Sequence, residues 1–113
     1  MVENESQVPD NKKLRVIFRI EPGSLGPDGM AHIETFCGFV QNDLAHLDSE
    51  FIFWEVAPRY DKLLPEIEYT VGGKRLSHEK AAMYMTLFEK HLEEFEIHLG
   101  ENISRLIEEF LNR

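Results

Sequence analysis

The sequence predicts an α+β fold, a two-layer sandwich in which helices cover one face of a small sheet. Three observations carry that expectation. Apolar and polar residues alternate over residues 13–21 and again over 66–71, the period of a half-buried strand. Aromatic and β-branched residues crowd the stretch from Phe51 to Ala57. From Ser77 onward, Ala81, Met85, Phe88, Leu92, Phe95, Leu99, Ile103, Leu106 and Phe110 recur at spacings of four and three, which places them along one side of a helix.

The chain has 113 residues, enough for one domain with a core of its own. Residues 1–12 are rich in Glu, Asn, Asp, Ser and Gln and are expected to form a disordered tail, leaving 13–113 as a single domain. In the first strand Leu14, Val16, Phe18 and Ile20 point one way, and Arg15, Ile17 and Arg19 the other. Pro22 ends it, and the Pro- and Gly-rich loop to Gly29 follows. A helix is expected from Asp28 to Leu47, with Ile33, Phe36, Val40, Leu44 and Leu47 as its apolar stripe and Asp28 as N-cap.

The strand from Phe51 to Ala57 carries aromatics on both faces and stops at Pro58. After a loop containing Leu63 and Leu64, the strand from Glu66 to Val71 places Ile67, Tyr69 and Val71 inward. Gly72-Gly73 then gives a turn, and Ser77 is a good N-cap for the last helix. The order is β-α-β-β-α. Inserting the third strand between the first two gives a three-stranded antiparallel sheet, a truncated ferredoxin-like sandwich with a long C-terminal helix. In that arrangement Arg15 and Arg19 face Glu66 and Glu68, and Phe51 and Phe53 lie on the outer sheet face.

A continuous helix from Ser77 to Leu111 is a rod of about 52 Å, longer than the roughly 35 Å breadth of a compact domain of this size. Gly100 is the natural place for a break, but the stripe continues in phase beyond it, so a continuous helix is expected. Met83 and Leu87 lie off the main stripe, and a helix apolar on two faces is sandwiched between two layers. A second copy of the chain is the expected supplier of the missing layer. The interface candidates are therefore Phe51, Phe53, Met83, Leu87, Ile103, Leu106 and Phe110.

Net charge is −9, from 21 acidic residues against 12 Lys and Arg. That argues against a dominant positive face, and with it against nucleic-acid binding or attachment to an anionic membrane, and it permits a basic protein partner. One cysteine cannot form an intramolecular disulfide, and no apolar run suggests a signal or a membrane span, so the expected location is the cytoplasm.

The chemistry-bearing residues are sparse. Cys37 sits on an apolar stripe with no base beside it and reads as core. His91, Glu94 and His98 are metal-competent types on one helix flank, but the two imidazoles are two turns, or about 10.5 Å, apart and cannot share an ion. They read as a solvated flank, and no metal or other cofactor is expected. Lys74, Arg75, His78 and Lys80 form the densest positive cluster, next to the N-terminus of the last helix, and are the anion-binding candidates. No nucleophile–base pair stands out, so no catalytic residue is assigned. The functional expectation is a dimeric protein-interaction or regulatory module. A small-molecule or phosphoanion binder, enzymatic or not, is the alternative.

Overall fold

The computed structural model describes residues 8–112. It is an α+β structure with a four-stranded mixed sheet and three helices, the last of them long. Of the expected tail, residues 1–7 lie outside the described residues. Residues 8–12 are tied to the domain. Asp10–Lys12 forms a short 3-10 turn, the Val8 N–H reaches the Glu50 carbonyl at 3.4 Å, and the Tyr84 hydroxyl donates to the Lys12 carbonyl.

Strand β1 (Leu14–Ile20) buries its four even-numbered apolar residues and turns Arg15, Ile17 and Arg19 to the other face. Helix α1 (Gly29–Leu44) buries Ile33, Phe36, Cys37, Val40 and Leu44 against the sheet. Its start lies where the sequence places it, but Asp28 makes no side-chain cap. Strands β2 (Ile52–Pro58), β3 (Ile67–Val71) and β4 (Lys74–Leu76) follow. Helices α2 (His78–Thr86) and α3 (Leu92–Leu111) complete the chain.

The strand order is β2-β1-β3-β4. β1 pairs parallel with β2 in the register Leu14↔Ile52 to Ile20↔Pro58, and antiparallel with β3. The expected three-stranded antiparallel sheet is thus corrected on two counts: β1, not β3, lies between its neighbours, and a fourth strand is present. The physical reason is the Gly72-Gly73 turn. Both glycines have positive φ, 58° and 82°, as a tight two-residue hairpin requires. That hairpin folds β4 back along β3 and occupies one of its two edges. β3 cannot then be flanked by both β1 and β2, and the ferredoxin-like order is lost.

The segment from Ser77 to Leu111 is also not one helix. It breaks between Thr86 and Leu92, where Glu89 adopts φ 61° and the Lys90 N–H closes on the Met85 carbonyl at 3.1 Å. Gly100, the expected weak point, lies inside α3. A non-glycine residue in the left-handed region costs about 1–2 kcal/mol. In return, Leu92, Phe95, Leu99, Ile103 and Leu106 are all buried within the chain, and a single large apolar side chain contributes about 1.5–3 kcal/mol on burial. The break is the smaller term.

This changes which surfaces are free. Ile103 and Leu106 are core residues, and Phe110 packs its ring 5.1 Å from Phe36 and 5.8 Å from Phe39, so α1 covers the positions for which a second chain was expected. Phe51 is not on the outer sheet face; it is buried and stacks on Phe88 at 4.4 Å. Phe53 does lie on that face, exposed, with the Arg15 guanidinium 5.5 Å from its ring centre. Met83, on α2, and Leu87, its C-cap, are exposed. Around Phe53 the uncovered face is laced with ion pairs: Arg15 with Glu55, and Arg19 with Glu68 at 3.0 Å. Arg15 therefore pairs across to β2 rather than to Glu66.

Candidate functional site

The parallel pairing of β1 and β2 brings the ends of both strands to one edge of the sheet. The Arg59 N–H donates to the Ile20 carbonyl at 2.8 Å, so the chain leaves the sheet at Glu21 and Arg59 side by side. The carboxyl ends of parallel strands, where loops diverge, are where open sheets form crevices. Here the crevice lies between the β1–α1 connection and the loop that follows β2.

Arg59 organises that loop. Its guanidinium pairs with the Glu21 carboxylate and donates to the Leu64 carbonyl at 3.0 Å and the Lys62 carbonyl at 3.2 Å. Lys62 Nζ reaches the other Glu21 oxygen at 3.1 Å. Hydrogen bonds from Lys62 and Arg59 hold the Glu21 carboxyl below its usual range. The opposite wall depends on Gly29. A Cβ there would meet the Pro22 carbonyl oxygen at 1.7 Å, so only glycine lets α1 start this close to the preceding turn.

Between these walls is a groove of about 640 Å³ lined by Glu21, Pro22, Gly23, Met30, Arg59, Tyr60 and Lys62. Met30 is 68% exposed and Tyr60 54%, so the groove is open, and Leu63 beside it is 93% exposed. The Tyr60 hydroxyl donates to Glu34 at 3.2 Å, and its pKa is raised by burial and by that carboxylate. Its charged groups are engaged with one another, and its free surface is apolar. Such a site can hold an apolar group. The cysteine of α1, Cys37, is buried, and burial pushes its thiol up to about 11, away from reactivity.

The residues singled out in the sequence lie elsewhere. Lys74 and Arg75 are neighbours on β4 and point to opposite sheet faces, with Arg75 Nε 4.0 Å from Glu68. His78 opens α2 and places Nε2 3.2 Å from Glu96, which also accepts from the Tyr69 hydroxyl at 2.5 Å. This bridge ties α2, α3 and β3 together. The Ser77 hydroxyl caps α2 by accepting from the Lys80 N–H at 3.1 Å. Lys74 and Arg75 therefore diverge, and His78 is turned toward Glu96, so these three side chains do not meet at one point.

His91, Glu94 and His98 share the wall of a second cleft, of about 390 Å³, between the α1–β2 and α2–α3 connections. Asp48 and Glu89, both with positive φ, form its rim, and Lys90 pairs with Asp48 at 3.4 Å. Among the described residues no three His, Cys, Asp or Glu side chains converge to hold a metal ion. Met30, Tyr60, Arg59 and Glu21 carried no sequence signal; the apolar pair Leu63-Leu64 inside a loop was the one visible hint.

No protein-family profile, curated protein or solved structure matches this chain. No helix among the described residues is long and apolar enough to cross a membrane.

Proposed function

We propose that this chain is a protein-interaction or regulatory module of the cytoplasm that acts as a homodimer. The observation that carries this reading is the distribution of large apolar side chains left outside the core. Met83 on α2 and Leu87 at its C-cap form one group and Met30, Tyr60, Leu63 and Leu64 a second at or next to the groove, while Phe53, Ile97 and Leu111 stand apart from both. Apolar clusters of this kind mark contact surfaces. Met83 and Leu87, one helical turn apart, suit the self-complementary contact of a two-fold dimer, and the groove is left for a different partner.

Sedimentation velocity over micromolar concentrations tests the dimer. The expected result is a dimer for the native chain and a monomer for the Met83→Glu/Leu87→Glu variant, with its thermal midpoint retained. A native chain that sediments as a monomer throughout removes this reading. The alternative, a phosphoanion site at Lys74, Arg75, His78 and Lys80, has weaker support because His78 and Arg75 are drawn to carboxylates. Isothermal titration with inorganic phosphate should give no saturable heat. Saturable heat abolished by Lys74→Glu would favour the anion site instead.

A further inference from the structure

We propose that the groove at the carboxyl ends of β1 and β2 docks a basic segment of another protein, which places one large apolar side chain between Met30 and Tyr60. The inference rests on the protein-interaction reading above and names the occupant.

Shape comes first. A small molecule held in the groove would cover Met30 and Tyr60 but not Leu63, which follows the lining residue Lys62 in the chain, is not part of the lining and stands almost wholly in solvent. Only a surface that extends past the groove covers all three. The loop that presents Leu63 is braced before any partner arrives. Arg59 holds the Leu64 and Lys62 carbonyls, and the Leu63 N–H donates to Asp61 Oδ1 at 2.9 Å. A contact residue held in place in the free protein loses little freedom on binding.

Charge selects the partner. Both cations of the groove, Arg59 and Lys62, are paired with Glu21. Around them Asp28, two residues before Met30, Glu34, bonded to Tyr60, and Asp61, two residues before Leu63, have no cation partner among the described residues. Two cations against the four carboxylates of Glu21, Asp28, Glu34 and Asp61 leave the rim with a net excess of two negative charges, in a chain of net charge −9. It attracts lysine and arginine, and repels the same rim on a second copy of this chain.

The test uses the full chain and a phage-displayed library of random peptides, followed by fluorescence anisotropy with the synthetic consensus peptide. Enriched peptides are expected to combine one large apolar residue with two or more Lys or Arg. Affinity should fall by about tenfold or more in Leu63→Asp and more modestly in the combined Asp28→Asn/Glu34→Gln/Asp61→Asn variant. It should also weaken with added salt. Leu63→Asp should keep the native thermal midpoint, because the side chain is already in water. Neutral or acidic consensus peptides that still depend on Leu63 would overturn the basic occupant and leave the interaction reading standing. Absence of any enrichment, or binding indifferent to Leu63→Asp, would overturn the docking site itself. A native dimer that Leu63→Asp dissolves would make a second copy the occupant and overturn the proposal.

Discussion

At the scale of single residues, two positions translate local geometry into measurable consequences. Gly29 is required by close approach, since a methyl group there would collide with backbone rather than with a flexible side chain. Relieving the clash must move the Pro22 turn or the first turn of α1. Gly29→Ala is expected to cost about 1–3 kcal/mol in urea denaturation, the range for forced overpacking, against the gain a helical Ala normally brings. Cys37 shows the opposite case, a group whose environment suppresses its chemistry. Burial, and secondarily the charge of Glu34, raises its thiol from 9.0 to about 11. At pH 8 the folded chain therefore holds about 100-fold less thiolate than the unfolded chain. A thiol reagent should label the native protein at least that much more slowly than the urea-unfolded protein. Equal rates in the two states would show that Cys37 is not enclosed.

At the scale of elements, the two sheet edges explain how this open fold avoids pairing with itself. The bonds from Leu14 N–H to the Phe51 carbonyl and from Arg59 N–H to the Ile20 carbonyl show that odd-numbered residues of β2 face β1. Even-numbered residues therefore present their backbone groups at the free edge, where an unpaired strand invites addition of another chain. Gln41 of α1 closes that edge: its side-chain amide donates to the Trp54 carbonyl at 3.0 Å and accepts from the Val56 N–H at 2.8 Å. One carboxamide thus replaces the peptide of a missing strand, and Pro58 offers no N–H beyond it. The other edge, β4, is only Lys74–Leu76. Gln41→Ala is expected to cost about 1–2 kcal/mol in urea denaturation, from the lost bonds, and to raise light scattering near the thermal midpoint; an unchanged scattering profile would deny Gln41 its guarding role. The same elements show what the sequence conveyed. Periodicity located β1, α1, β2, β3 and most of α2 and α3, because burial on one face leaves a repeating mark. It did not reveal strand order, since alternation reports which face is buried and not which edge is paired. Nor did it reveal the break before α3, because the stripe stays in phase from Phe88 to Leu92 and a left-handed Glu89 has no signature of its own. The groove was hidden for a related reason: Glu21, Met30 and Tyr60 meet only once β1 and β2 are paired in parallel.

For the molecule as a whole, charge sets how stability depends on pH, and two opposing effects divide the profile. At neutral pH the net charge of −9 favours expansion through self-repulsion. Lowering the pH toward the isoelectric value of about 5.0 removes that repulsion, so the thermal midpoint should rise from pH 8 toward pH 5. Below that, Glu21 acts in the other direction. Its folded pKa lies under the ordinary 4.5 because Lys62 and Arg59 bind the ionised form. Its contribution is therefore complete above 4.5 and is lost as pH falls through the lower folded value. Losing it releases the brace between the β1 exit and the loop that carries Leu63. The midpoint should thus pass through a maximum near pH 5 and decline below 4.5. Differential scanning calorimetry across this range checks the shape, and Glu21→Gln separates the two effects. The variant should keep the rise between pH 8 and pH 5, which depends on the whole charge distribution, and show a shallower acid decline. An acid limb as steep in Glu21→Gln as in the native chain would assign the decline to the remaining carboxylates and deny the Arg59–Glu21–Lys62 brace a part in stability.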